Sequence, residues 1–333
     1  MYDPPEFDKL TCIQDSVSVL WSTKLKAYPQ KIIELDSSSL LIGDSRGGLQ
    51  ILNVRTGKQI DYYWKDYMRP IKLYNVINNI LYFSAENENE IIAWDLKKAK
   101  VVWKQKYKIN ITRLFKFNKQ IFIKYQTGIG IINSKNGEIK RKTSFQNRII
   151  DNYVLRNNKI LCLTESGKLI SIDSNLKIID KYKTDISLPQ NILLNNDHLV
   201  IHNSSGLIKI LNLQNEEVVY SKKYDQTIYS SPQFMQGHLI IAFASGKTIS
   251  LDYSKNTTIW EFSYPGLLSL DCIAIDNKII LPYSKGIIFC LNSTDGSEYW
   301  KYQAEKSINY VKLTHRGILY SSGKKLILIG NKK

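Results

Sequence analysis

The sequence predicts an all-β fold: a single eight-bladed β-propeller of four-stranded antiparallel blades. Three recurring markers predict it. An Asn or Asp returns at Asn53, Asp95, Asn133, Asp173, Asn212, Asp252, Asn292 and Asn331, at intervals of 38 to 42 residues. A Gly stands five to eight residues ahead of it at Gly48, Gly128, Gly167, Gly206, Gly246, Gly286 and Gly323, and Asn89 fills the slot in the second copy. An aromatic follows eight residues later at Trp103, Tyr220, Trp260 and Trp300. A repeat of about 40 residues made of short strands is the sequence mark of a propeller blade.

Each marker has a physical task. The Gly is expected to supply positive φ in a tight hairpin turn, and Asn89 tolerates that conformation better than most residues. The Asn or Asp opens the next turn by bonding its own backbone two residues on. The closing Trp or Tyr packs a large apolar surface between neighbouring blades. The third and fourth copies are degenerate, with Lys140-Arg141-Lys142 and Asp180-Lys181-Tyr182 at their closing positions. Those blades are expected to pack less well at the aromatic layer or to use other core residues.

The eighth Asn, Asn331, leaves the last blade without its outer strand. A strand of that kind stands at the other end, in Val17-Ser18-Val19-Leu20-Trp21-Ser22-Thr23-Lys24-Leu25, with nothing before it. The N-terminal strand is therefore expected to complete the C-terminal blade and seal the ring, removing exposed sheet edges. Residues 1–16 form a tail and residues 17–333 one propeller. Composition agrees: 21 Tyr, 10 Phe and abundant Ile and Val favour strands, and the eight Pro mark no linker.

No stretch has the ~18 apolar residues that span a bilayer. The segment from Met1 to Cys12 starts acidic and lacks an apolar h-region, so as given it is not a signal peptide. Leu10-Thr11-Cys12 has the form of a lipoprotein cleavage site without its hydrophobic segment.

In Asn292-Ser-Thr-Asp-Gly-Ser-Glu-Tyr-Trp300 and Asn53-Val-Arg-Thr-Gly-Lys58 the repeat resembles the quinoprotein-type (PQQ-like) propeller repeat. No Gly-His…Trp-Asp pattern of the WD40 repeat is present; Trp94-Asp95 lies before the turn in one blade. The eight-blade plan, the opening Leu20-Trp21-Ser22-Thr23 and Tyr229-Ser-Ser-Pro232…Trp260 are similar to the BamB family, lipoprotein propellers of the bacterial outer-membrane β-barrel assembly machinery. The resemblance covers residues 17–333. It implies a non-enzymatic scaffold that binds other assembly subunits at the periplasmic face of the outer membrane if a leader is missing. A native N-terminus implies instead a cytoplasmic propeller serving as a platform in a multi-protein complex.

A third reading, a degenerate quinone-dependent dehydrogenase, lacks support in the residues. There is no Cys-Cys pair for a vicinal disulfide, and no long insertion to wall a cofactor pocket. No cofactor and no metal are expected. His198, His202, His238 and His315 are scattered and read as exposed turn residues rather than converging ligands. Cys12, Cys162, Cys272 and Cys290 form no CxxC motif; Cys162 and Cys290 sit in apolar strands and read as buried small hydrophobes. No GxSxG, HExxH or Walker loop occurs.

Charge is the strongest functional signal. The chain carries a net +16, and residues 96–150 hold fifteen Lys and Arg against the single acid Glu138. A candidate patch for an acidic partner comprises Lys97, Lys98, Lys100, Lys104, Lys106, Lys108, Arg113, Lys116, Lys119, Lys140, Arg141 and Lys142. These are expected to form one basic sector over blades 2 and 3, able to steer an acidic protein or an anionic surface. A Lys-, Asn- and Ile-rich composition is the competing explanation. Nucleic acid is disfavoured, because the aromatics fall on blade-core positions rather than beside the basic residues.

Overall fold

The computed structural model describes residues 16–64, 68–268 and 270–331, and contains eight four-stranded antiparallel sheets. Strand β1 (Ser18–Lys24) comes first. Blade 1 is β2 (Pro29–Glu34), β3 (Ser39–Asp44), β4 (Gly48–Asn53) and β5 (Gln59–Trp64). Blade 2 is β6 (Ile71–Ile77), β7 (Ile80–Ala85), β8 (Glu90–Asp95) and β9 (Lys100–Lys106). Blade 3 is β10 (Ile111–Phe117), β11 (Gln120–Tyr125), β12 (Gly128–Ile132) and β13 (Ile139–Ser144). Blade 4 is β14 (Ile149–Arg156), β15 (Lys159–Thr164), β16 (Lys168–Ile172) and β17 (Ile178–Lys183).

Blade 5 is β18 (Pro189–Asn195), β19 (His198–Asn203), β20 (Leu207–Asn212) and β21 (Glu217–Lys223). Blade 6 is β22 (Gln233–Met235), β23 (His238–Ala242), β24 (Lys247–Asp252) and β25 (Thr257–Ser263). Blade 7 is β26 (Ile273–Ile275), β27 (Lys278–Tyr283), β28 (Ile287–Asn292) and β29 (Glu298–Gln303). Blade 8 is β30 (Tyr310–Thr314), β31 (Gly317–Ser322) and β32 (Lys325–Gly330), with β1 as its fourth strand. The first strand of each blade is innermost and the last outermost.

The ring closes as the sequence predicts. β1 pairs antiparallel with β32 from Ser18↔Gly330 to Lys24↔Lys325. The tail lies outside the described residues except for Ser16. Closure does not remove every sheet edge, however. Each sheet ends at its outermost strand, so the outer strands remain edges around the rim.

The second and third strands of each blade are covered on both faces by neighbouring blades. They therefore read as unbroken apolar runs rather than alternating ones: all five residues of β12 are buried. The core is accordingly partitioned. Among the described residues, eight clusters each occupy one interface between adjacent blades.

The turn residue behaves as its chemistry requires. Asn53 Oδ1 accepts Arg55 N–H at 2.9 Å, and Asp252 Oδ1 accepts Ser254 N–H at 3.1 Å. Asp95, Asn133, Asp173, Asn212 and Asn292 do the same two residues on. The glycine marker needs correcting in three copies. Gly48, Gly128 and Asn89 do not have positive φ; in blades 1 and 2 the left-handed residues are Gly47 and Asn87, one and two residues earlier. Gly128 is required by close approach instead, because a Cβ there would sit 2.1 Å from the Thr143 carbonyl oxygen.

The closing aromatics pack as expected against the turn of the next blade. Trp21, Trp103 and Trp260 lie on Gly57, Gly137 and Gly296, where a Cβ would meet the ring at 2.4, 2.5 and 2.7 Å. Their indole N–H groups donate to the carbonyls of Val54, Ser134 and Ser293 at 2.9, 2.9 and 2.8 Å. The strand register shows that three blades, not two, lack this residue. The register position that Trp300 holds in blade 7 is held by Asp61 in blade 1, Arg141 in blade 3 and Asp180 in blade 4.

Candidate functional site

Three regions offer chemistry: the outer rim, the interface of blades 4 and 5, and the axis. At the rim, outer strands expose β-branched side chains that nothing covers: Ile60 in β5, Ile179 in β17, Val218 and Val219 in β21, and Ile259 in β25. An uncovered strand edge with apolar residues is a template for pairing with another chain. On β13 that edge is blocked by charge, since Lys140, Arg141 and Lys142 are all exposed.

The basic residues do not gather as one sector. All twelve are exposed, but they divide by place. Lys100, Lys104 and Lys106 on β9 join Lys140, Arg141 and Lys142 on β13 along the rim. Lys97, Lys98 and Lys119 sit in hairpin turns on one face of the disc. Lys108 lies in the β9–β10 connection on the opposite face. Arg113 and Lys116 belong to β10, the innermost strand of blade 3. Sequence adjacency suggested one patch because a blade packs charges from axis to rim into about 40 consecutive residues.

At the blade 4–5 interface, the missing aromatic leaves a cavity of about 120 Å³. Leu161, Leu169, Ser171, Asp180 and Tyr182 line it from blade 4, and Leu211, Leu213 and Glu216 from blade 5. Ser171, the register partner of Asp180, has a buried hydroxyl with no hydrogen-bond partner among the described residues. The blade 3–4 interface is better filled: Phe115 stacks on Tyr153 at 4.1 Å, and Phe117 and Phe145 join them. Of the two degenerate copies, one repacks with other aromatics and the other leaves a void.

Around the axis, the innermost strands carry a one-way hydrogen-bond belt. Lys312 of blade 8 donates to the Ile32 carbonyl of blade 1 at 3.0 Å. Lys31 donates to the Leu73 carbonyl of blade 2 at 2.9 Å, and Lys72 to the Ile111 carbonyl of blade 3 at 3.0 Å. Arg113 donates to the Asn152 side chain of blade 4 at 2.9 Å. Asn152 donates to Asn191 and Asn191 to Ser231. The Ser231 N–H donates to Asp271 of blade 7 at 3.3 Å.

Half of this belt is cationic. Burial first, and then the charges of Arg113, Lys312 and Lys72, push the Lys31 ammonium down to about 8. Lys31 and Arg113 both stand on innermost strands, β2 and β10. Burial also lowers Lys72 and Lys312, against the opposing pull of Asp151 and Glu34 respectively. Behind them, Lys124 is wholly buried and bonded to Thr112 at 3.1 Å and Asp151 at 3.3 Å. These lysines went unnoticed in the sequence. Their signal is a fourth marker of the same period, running Lys31, Lys72, Arg113, Asn152, Asn191, Ser231, Asp271, Lys312.

The histidines differ from expectation. His202 is buried within β19, not exposed in a turn, and neither ring nitrogen has a hydrogen-bond partner among the described residues. Burial lowers its pKa to about 4. His198 shares that strand and bonds Tyr253 at 2.8 Å, while His315 pairs with Glu34. Cys162, Cys272 and Cys290 are buried and free, their thiols raised by burial to about 12, 11 and 12. Among the described residues no three His, Cys, Asp or Glu side chains converge. No helix there is long and apolar enough to cross a membrane.

No protein-family model matches the chain. An uncharacterized protein of Rickettsia conorii is 21% identical over 264 residues, 69% of this chain and 62% of that protein, so the chain spans less than two thirds of that relative's length. Two solved structures share the fold. BamB from Moraxella catarrhalis is similar with a TM-score of 0.74 at 10% identity, over 95% of this chain and all of that one. A quinohemoprotein alcohol dehydrogenase from Pseudomonas putida gives 0.71 at 9% identity, over 99% of this chain and 78% of that one. At such identities the likeness is one of architecture alone, the eight-bladed β-propeller.

Proposed function

We propose that the chain is a non-enzymatic protein-interaction scaffold that receives extended segments of partner proteins along the outer edges of its blades. The carrying observation is the row of exposed β-branched residues on unpaired outer strands, with Val218 and Val219 of β21 and Ile259 of β25 on adjacent blades. Strand addition at such an edge takes its affinity from main-chain hydrogen bonds and its selectivity from alternate side chains. The architectural likeness to BamB, together with the opening Leu20-Trp21-Ser22-Thr23, supports service in outer-membrane β-barrel assembly as the specific role.

Affinity purification of the tagged protein from its own cells after mild crosslinking tests this reading. Co-purification of a membrane-embedded β-barrel protein and its periplasmic neighbours upholds the assembly role. Recovery of soluble cytosolic proteins instead overturns that role and leaves a platform in another complex. The likeness to the alcohol dehydrogenase favours a degenerate quinone enzyme as the second reading. A quinone absorbance in the purified protein, or a calcium-dependent dehydrogenase activity, would establish it in place of the first.

A further inference from the structure

We infer that the axis of the ring is a binding site for a small multivalent oxyanion of the phosphate class, held by Lys31, Lys72, Arg113 and Lys312. The inference does not rest on the scaffold reading. Four consecutive blades, 8, 1, 2 and 3, each send one cation from the innermost strand to the channel. Among the described residues none of the four has a carboxylate at ion-pair distance. Glu34 is paired with His315 and Asp151 with Lys124. Three of the cations spend one or two donors on backbone carbonyls, which satisfies hydrogen bonding without forming an ion pair.

Bringing like charges together in a partly buried place is unfavourable, and each lowers the proton affinity of its neighbours. A bound anion reverses both effects. The remaining ammonium and guanidinium donors are free to point at it: a lysine has three and an arginine five. Lys31 and Lys72, but neither Arg113 nor Lys312, line a cavity of about 480 Å³ between blades 1 and 2. That space would hold on the order of ten waters. The four cations together match a multivalent anion better than a monovalent one, while Glu86 and Glu88, which also line the cavity, oppose an anion there and Glu86 partly compensates Lys72.

Calorimetric titration of the full chain with pyrophosphate, at low ionic strength near the Lys31 pKa, tests this. Runs in two buffers of different ionisation enthalpy count the protons exchanged. The expected result is saturable one-to-one binding with net proton uptake, since the anion restores the Lys31 proton. Lys31→Met combined with Lys312→Gln should weaken binding at least tenfold and abolish the uptake. Lys140→Gln, Arg141→Gln and Lys142→Gln on the rim should leave it within twofold. If the axial pair does not fold, Lys72→Gln replaces it and must weaken binding severalfold. Pyrophosphate binding more tightly than citrate supports the phosphate class, and a tenfold preference for citrate overturns it. Non-saturating heats, absence of proton uptake, or a loss that follows the rim variant rather than the axial one overturns the site.

Discussion

The indole N–H of Trp21 donates to the carbonyl of Val54 at 2.9 Å, joining the N-terminal strand to the blade beyond the one it completes. Trp21 thus works twice: its strand zips onto β32, and its ring covers Gly57 in blade 1. Trp21→Ala removes a buried aromatic and a hydrogen bond, and should cost about 3–5 kcal/mol. Trp21→Phe keeps most of the burial and strands the Val54 carbonyl, for about 1–3 kcal/mol. Urea unfolding followed by circular dichroism measures both; equal losses would show that the hydrogen bond contributes nothing.

The void between blades 4 and 5 predicts a gain. Asp180 stands where Trp or Tyr closes blades 2, 5, 6, 7 and 8, and Leu213 follows the turn Asn as the acceptors Val54, Ser134 and Ser293 do. Asp180→Trp should therefore fill the slot, cover Leu211 and Leu213, and raise stability by about 0.5–2 kcal/mol. A lower thermal midpoint would mean that the slot cannot open for the ring.

His202 predicts an acid-sensitive stability. Its pKa is lowered to about 4 in the folded protein from the 6.5 of an unperturbed imidazole. Between those values the unfolded chain binds more protons than the folded one, so stability rises with pH across this window and falls as pH drops through it. The loss by about pH 4 should be on the order of 3 kcal/mol from this residue. In blade 4 the same strand position is Leu163, so His202→Leu keeps the packing and removes the titration. Urea midpoints from neutral pH down to pH 4 should slope less steeply in the variant than in the parent.

Placing charge on the open rim should separate binding from folding. Val218→Lys with Val219→Lys puts two cations on an exposed edge, where surface substitutions cost little, within about 0.5 kcal/mol each. Partner recovery in the crosslinking experiment should fall sharply while the thermal midpoint holds. Unchanged recovery would move the docking surface away from β21.

Much of the fold is legible in the sequence because propeller blades repeat their turn chemistry. Asn292-Ser-Thr-Asp-Gly states its turn locally, and Trp300 its burial, so period and closure can be counted. The errors arose where one residue type serves two ends. Gly128 shares the spacing of Gly167 but is kept by the Thr143 carbonyl, not by its φ. His202 looked like a turn residue because the short polar segments around it resemble hairpin ends. Asp61 escaped notice because Tyr62 and Tyr63 beside it supplied aromatics off the register position. The axial cations were hidden for a different reason. Lys31 and Lys312 are 281 residues apart in sequence and neighbours across the seam, and their meeting depends on the ring rather than on any local pattern.

The pairing of β1 with β32 also sets a timetable. Ser18 is made 312 residues before Gly330, so the strand carrying Trp21 has no partner while the intervening residues are synthesised. At about 5–20 residues per second that interval is roughly 15–60 s. Throughout it, blades 1 to 7 can stack side by side as an open arc, with the indole of Trp21 unhoused and the last interface wet. Whatever shields that lone strand in the meantime, the ring closes only after Gly330 has left the ribosome.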